Sequence, residues 1–398
     1  MTGPAVTGPF VLGTALAERE QVGLLRNRIA TDGASGGRLR VAGREYFNFS
    51  ANDYLGLADH GAIKAAFNAG IERYGTGSGA SPLVTGYSRA HQQLEETLAE
   101  WLGVEAVLLF NCGFSANQAV LKALLGKEHL LWQDKLNHAS LQEMGSQLPC
   151  KMKRFAHNDM EALERQLEPN RGLIVSEGVF SMDGDQAPWG ELATLAARSG
   201  NWLMIDDAHG LGVMGPEGSG TLAAQEVDPA SVHIQMGTFG KALGVAGAFV
   251  GGSRELVEYL VNFARHYVYS THMPAAQACA VSKSIELVRA ADEARSHLGK
   301  LIARFRQGAE ALGWQLGASD TPIQPLQVGE SSVALQLAER LRECGVWVSA
   351  IRPPTVPVGT ARLRITLSAA HREQDVDRLL DALGVCPAVT TLGETHYG

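Results

Sequence analysis

The sequence predicts an α/β protein with a mainly parallel central sheet, helices on both faces and a smaller α+β unit toward the C-terminal end. Three observations predict it. Short apolar runs at 105–110, 129–133, 172–176, 202–206 and 246–251 are spaced by stretches of helical periodicity, the pattern of buried strands joined by crossover helices. Beyond residue 290 the texture changes to short strands near 322–328, 345–350 and 361–367 around a helix at 331–344. The length of 398 residues also exceeds the usual span of one hydrophobic core.

Taken in order, Leu16 to Ile29 reads as a charged lead-in helix, broken by TDGASGG before a short strand at Tyr46–Phe49. Residues 61–74 and 88–102 read as amphipathic helices. The segment between them, GTGSGASPLVTG, is too rich in glycine to be regular. The alternating strands and helices follow, then helices at 274–290 and 292–312. The resulting organisation is an N-terminal helix and strand over 1–50, a large α/β unit over 51–290, a small α+β unit over 291–386 and a poorly ordered tail over 387–398. In sheets of this kind ligands sit at the carboxyl ends of strands, so the chemistry is expected just after the apolar runs.

Composition excludes several classes. Hydrophobic residues at 45% and charged residues at 19% describe a compact globular chain rather than a disordered one. A formal charge of −8 offers no basic face to nucleic acid or anionic lipid. The five cysteines carry no C-x-x-C pair, so neither a zinc site nor a disulfide framework is indicated. Without a signal-like N-terminus or a spanning apolar stretch, a cytoplasmic protein is expected.

Three segments carry chemistry. In Thr238-Phe239-Gly240-Lys241-Ala242-Leu243-Gly244 a single lysine stands among small and apolar residues. Such surroundings lower its proton affinity and make it an amine nucleophile suited to Schiff-base formation, although a solvated loop lysine has the same local sequence. In Asn201 to His209 an apolar run delivers Asp206, and His209 follows three residues later. A carboxylate there can keep a pyridine nitrogen protonated while the histidine meets a ring oxygen; taken alone, the pair reads more simply as a helix cap and a surface imidazole. In Val107 to Asn117 a strand, a glycine turn and a helix start offer backbone N–H groups to an anion, or form an ordinary strand-to-helix turn.

Two glycine patterns imitate a dinucleotide site. Gly210-Leu211-Gly212-Val213-Met214-Gly215 follows a strand, but Pro216-Glu217-Gly218 comes next where that fingerprint needs a helix. Gly75-Thr76-Gly77-Ser78-Gly79-Ala80 follows a helix and fails the same requirement. No H-E-x-x-H or P-loop is present.

Gly113-Phe114, Asp206-x-x-His209 and Thr238-x-x-Lys241 together have the order and spacing of a fold-type I pyridoxal-phosphate enzyme. With NFSANDYLGL, TGYSRAHQQLEE, EGVFSMDGD, DDAHG and GTFGKALG, the chain resembles the α-oxoamine synthases from about Leu16 to about Leu383. Within that family, Ile351-Arg352-Pro353-Pro354-Thr355-Val356-Pro357 and Thr360-Ala361-Arg362-Leu363-Arg364 are similar to the biotin-pathway member.

The resemblance implies a homodimeric acyltransferase using pyridoxal 5'-phosphate to condense L-alanine with pimeloyl-CoA or a pimeloyl carrier protein. Glycine or another amino acid with a different acyl-CoA is the related alternative. The resemblance implies that Lys241 carries the cofactor and moves the Cα proton, that Asp206 meets the pyridine nitrogen, and that His209 and Ser181 lie near the ring oxygen. His138 matches the histidine stacked on the ring, and Gly113, Phe114 and Thr238 match positions that hold the cofactor, Thr238 near its phosphate. Arg26, Arg352 and Thr355 match the substrate region, with Arg352 expected to clamp the amino-acid carboxylate. Gly75–Gly86 matches the loop that reaches the partner subunit's site, where Pro82 departs from relatives and bears on acyl-chain preference.

Overall fold

The computed structural model describes residue 10 and residues 12–33 and 36–386; the tail expected over 387–398 lies outside the described residues. Along the chain the elements are helix α1 Leu12–Gln21, strands β1 Arg38–Val41 and β2 Arg44–Asn48, helices α2 Gly61–Tyr74 and α3 Arg89–Leu102, strand β3 Ala106–Phe110, helix α4 Gly113–Leu124, strand β4 Leu130–Asp134 and helix α5 Ala139–Gln147. Then come β5 Lys151–Phe155, α6 Met160–Glu164, β6 Gly172–Glu177, α7 Trp189–Ser199, β7 Trp202–Asp206, α8 Thr221–Ala224, β8 Ile234–Thr238, β9 Ala248–Gly252 and α9 Arg254–Phe263. The last third holds α10 Arg265–Val268, α11 Ala275–Arg289, α12 Asp292–Ala311, β10 Ile323–Gly329, α13 Ser331–Glu343, β11 Val346–Trp347, β12 Ser349–Ile351, β13 Ala361–Thr366 and α14 Glu373–Gly384.

Seven strands form the central sheet in the order β3-β9-β8-β7-β6-β4-β5. β5, β4, β6, β7 and β8 run parallel, and β9 runs antiparallel to both β8 and β3. The apolar runs are buried because the sheet is covered on both sides: Val120, Leu121 and Leu260 pack on one face, while Trp189, Leu192 and Ala196 of α7 join Ile174, Leu203 and Ile205 on the other. Every residue of β4, β9 and β13 is buried, although β4 ends in Gln133 and Asp134 and β13 carries Arg362 and Arg364.

Two strands of the central sheet were not predicted, for opposite reasons. β5 (KMKRF) is a charged edge strand with one buried residue, so it carries no apolar signal. β8 (IQMGT) is buried but interrupted by Gln235 and Gly237. The lead-in helix also ends early. It spans Leu12–Gln21 rather than reaching Ile29, it buries no residue, and Gly23 at φ 66 turns the chain away.

The C-terminal elements build an antiparallel sheet β10-β13-β12, and β11 pairs in parallel with β2, Val346 beside Phe47. The single strand expected over 345–350 is therefore two short strands in two different sheets.

Candidate active site

The parallel strands end on one edge, and β4, β6, β7 and β8 deliver Asp134, Glu177, Asp206 and Thr238 there. Glu177 and Asp206 are direct partners in the β6–β7 register. Asp206 is 4% exposed. Its Oδ2 accepts from Asn117 Nδ2 at 2.8 Å and its Oδ1 from the Ala208 N–H at 3.1 Å. Both donors are neutral, so this buried carboxylate calls for a cationic partner, as a protonated pyridine nitrogen would be. Glu177 is also buried, with Oε1 lacking a hydrogen-bond partner, and burial together with the Asp206 charge pushes its carboxyl well above the usual range.

Asn117 extends the chain of contacts. It lies on the buried face of α4 and also donates to Ser140 Oγ at 2.9 Å. Ser140 Oγ is 2.8 Å from His138 Nδ1, which accepts from the Ser140 N–H as well. Nδ1 is thus an acceptor and Nε2 carries the proton of the ring. Burial depresses the His138 imidazole, consistent with that neutral form. Its ring stands edge to face with Phe114, centroids 6.5 Å apart.

His209 is buried, with Nδ1 2.6 Å from Tyr54 Oη. Burial, reinforced by the Lys241, Arg364 and His138 charges, holds this imidazole well below its ordinary range. Asn52 Oδ1 accepts from Tyr54 Oη at 3.3 Å and from Arg364 Nη1 at 3.1 Å, and Arg364 Nε donates to the Ser181 carbonyl at 2.7 Å. Arg364 is 6% exposed.

Lys241 sits in a turn closed by Gly244 N–H to the Lys241 carbonyl at 2.8 Å and Phe239 N–H to the Gly247 carbonyl at 2.9 Å. Gly244 adopts φ 66, and a Cβ there would lie 2.5 Å from the Ala58 nitrogen, so only glycine closes the turn. Burial brings the Lys241 amine down to about 8 against the opposing pull of Asp206 and Glu177. Below pH about 8 the amine is therefore protonated and inert. The rate at which the cofactor-free protein takes up pyridoxal phosphate, followed by visible absorbance, is expected to rise about tenfold per pH unit and to level off above that value. A rate still climbing at pH 10 would mean a solvated lysine.

Thr238 Oγ1 donates to the Gly247 carbonyl at 2.9 Å and accepts from the Gly240 N–H at 3.3 Å. Gly113 opens α4 beside it, a Cβ there falling 3.9 Å from Thr238 Cβ. Cys112 at the N-cap supplies no side-chain cap to the helix backbone, leaving the first-turn N–H groups of Gly113 and Phe114 to an anion.

The glycines of the dinucleotide look-alike have another explanation. A Cβ on Gly210 would lie 2.1 Å from a carboxylate oxygen of Asp207, one on Gly212 2.7 Å from Ala242 Cβ, and one on Gly215 2.7 Å from the Gly220 carbonyl oxygen. Asp207 accepts from the Thr221 N–H and hydroxyl at 2.7 and 2.6 Å, and only a three-residue turn, Pro216–Gly218, follows.

The substrate candidates form a second cluster. Arg26 Nη2 donates to Thr355 Oγ1 at 3.0 Å, and Arg352 donates to the Gly23 carbonyl. The guanidinium tied into the Asn52–Tyr54–His209 chain is that of Arg364, not Arg352. In the glycine-rich segment Ser78 Oγ donates to the His272 carbonyl at 2.7 Å, Pro82 is buried, and Leu83 and Val84 project into solvent. Asn52, Tyr54, Asn117, Ser140, Glu177 and Arg364 were given no role from sequence. Glu177 could have been found, since it ends a strand as Asp206 does.

The family described as "Aminotransferase class I and II" matches residues 44–383. The chain is 87% identical over its whole length to a full-length 8-amino-7-oxononanoate synthase of Aeromonas hydrophila. It is 50% identical to that of Yersinia enterocolitica, over 93% of this chain and 97% of the relative. Among solved structures, serine palmitoyltransferase from S. paucimobilis with a bound PLP–myriocin aldimine superposes with a TM-score of 0.88 at 26% identity, covering 94% of this chain and 96% of that one. 8-Amino-7-oxononanoate synthase from Francisella tularensis gives 0.76 at 27% identity, covering 85% and 97%.

Proposed function

The chain belongs to the aminotransferase class I and II family, and from that premise we propose that it is an 8-amino-7-oxononanoate synthase. It is a pyridoxal-phosphate-dependent acyltransferase of biotin biosynthesis with a fold-type I architecture. In the proposed reaction the Cα of L-alanine displaces the thiol of a pimeloyl thioester, the alanine carboxylate leaves as carbon dioxide, and 8-amino-7-oxononanoate and free thiol result. The observation that carries this reading is Asp206, a buried carboxylate with only neutral donors, beside the Lys241 amine held at about 8.

When bound, pyridoxal phosphate supplies an electron sink for charge developing at the amino-acid Cα. Lys241 would hold the cofactor aldehyde through its amine and would serve as the base that moves the Cα proton. Asp206, its carboxylate fixed by Asn117, would keep the ring nitrogen protonated. His209 and Ser181 would hold the cofactor ring by its oxygen, and His138 would pack against it. Gly113, Phe114, Thr238 and the first turn of α4 take the phosphate. Arg364 orients the amino-acid carboxylate, a role the resemblance had offered to Arg352, while Arg26, Arg352 and Thr355 face the acyl substrate.

The same reading divides the chain into a large unit over 51–290 and a small one over 291–386, and it makes the protein a cytoplasmic homodimer with shared sites. Exposed Leu83 (52%), Val84 (73%) and Tyr269 (70%) support a partner surface near the glycine-rich segment. No helix of the described residues is long and apolar enough to cross a membrane.

Thiol release with a panel of amino acids and acyl thioesters tests the proposal. Alanine with pimeloyl-CoA or a pimeloyl carrier protein is expected to turn over fastest. Glycine with acetyl-CoA or succinyl-CoA turning over faster would overturn it.

A further inference from the structure

His157 lies outside every residue given a role above, yet both of its ring nitrogens face carboxylates. Nδ1 is 3.0 and 3.2 Å from the two oxygens of Asp134, and Nε2 is 2.6 Å from Asp185 Oδ2. Two acceptor-only partners require a ring that donates from both nitrogens, which only the imidazolium does. Burial opposes that charge, but the hydrogen bonds and negative charges of Asp134 and Asp185 outweigh it and hold the ring at about 10.

The two carboxylates sit in walls of the proposed cofactor pocket. Asp134 ends β4, and its Oδ1 accepts from the Leu136 N–H at 2.8 Å, its Oδ2 from the Asn158 N–H at 2.8 Å and its carbonyl from the Asn137 N–H at 3.1 Å. These bonds shape the turn that presents His138. Asp185 closes the loop after β6, with its carbonyl accepting from the Phe180 N–H at 2.9 Å and the Phe180 carbonyl accepting from the Gly184 N–H at 2.8 Å. That loop presents Ser181, and its Phe180 ring stands edge-on to His157, centroids 4.4 Å apart. β4 and β6 are neighbouring strands, so the imidazole spans the gap between their two exits.

We infer that His157 is a positioning residue: it ties the turn carrying His138 to the loop carrying Ser181 and so sets the separation of the two sides of the ring pocket. Charge is what makes the tie firm, because a neutral ring would lose one of its two donors to carboxylate. Displacement of a contact group by about 1 Å typically costs one to two orders of magnitude in rate. The inference rests on the pyridoxal-phosphate reading for its consequence, not for its geometry.

Nitrogen NMR of imidazole-labelled, cofactor-free protein reads the geometry directly. Both His157 nitrogens are expected to be protonated at pH 8; a singly protonated ring overturns the inference. In the holoenzyme, His157→Gln is expected to lower kcat about tenfold and shift the visible absorption of the bound cofactor, with His157→Arg restoring kcat to within about threefold of wild type. Wild-type kcat and absorption in His157→Gln, a change confined to Tm, or an equal loss in His157→Arg would each overturn it. Should His157→Gln not fold, Asp185→Asn keeps the Asp134 bond and is expected to lower kcat about threefold. A wild-type kcat in Asp185→Asn again overturns the tie. A wild-type protein without visible cofactor absorption counts instead against the cofactor reading.

Discussion

Lys241→Ala is expected to abolish turnover, by roughly 10³- to 10⁴-fold or more, because the same amine serves as cofactor anchor and as acid–base group. Hydride treatment of the wild type should fix the cofactor permanently on Lys241, detectable as a mass increase on the peptide containing it. The variant should show no labelled lysine. The stability effect has the opposite sign. The amine falls from 10.5 in the unfolded chain to about 8 in the fold, so below pH 8 the folded state carries a disfavoured charge worth on the order of 3 kcal/mol. Cofactor-free Lys241→Ala should therefore be more stable at pH 7, measured by urea denaturation. Between about pH 8 and 10.5 the folded wild-type lysine is deprotonated while the unfolded one is not, so wild-type stability rises and the advantage of the variant fades. A variant with normal turnover, or with a fully labelled lysine elsewhere, rules out the assignment.

Asp206→Asn should lower turnover by about 10²- to 10³-fold while keeping the fold. Asparagine has the same shape and retains an oxygen for Asn117 or Ala208, the two donors seen at 2.8 and 3.1 Å. The negative charge is lost, and with it the reason for a cofactor ring nitrogen to remain protonated during charge development at Cα, a contribution of about 3–4 kcal/mol if comparable to other preorganised electrostatic contacts. Two further consequences follow from the signs of the interactions. Asp206 raises both the Lys241 amine and the Glu177 carboxyl, so both should titrate at lower pH in the variant. For Lys241 this appears as a shift of the cofactor-uptake profile to lower pH. Unchanged turnover together with an unmoved profile would show that position 206 is not electrically coupled to the site.

Much of the site was legible because each residue combines a reactive side chain with a local signal. Lys241 stands in a glycine turn, Asp206 ends a strand, and Gly113 and Phe114 start a helix that no side chain caps. What escaped were the residues that support them. Asn117 reaches Asp206 across 89 positions of sequence and Tyr54 reaches His209 across 155. No periodicity or spacing encodes such pairings. Arg364 and Arg352 show the same limit, since both stand in the segments that resemble the family, and only packing separates the buried guanidinium from the one bonded to the Gly23 carbonyl. Strand β8, which delivers Thr238, was passed over for its polar and glycine content although it lies inside the sheet.

By itself the amino-acid sequence determined the alternation of strands and helices, the reactive side chains at strand exits and the lysine in its glycine turn. These are local properties, set by backbone preference and by which residues can do chemistry. Only the tertiary structure decided which groups are buried, which arginine joins the Asn52–Tyr54–His209 chain and which carboxylates face His157. Those depend on burial and on charges brought together from distant parts of the chain, and a group's proton affinity has no value until its neighbours are in place.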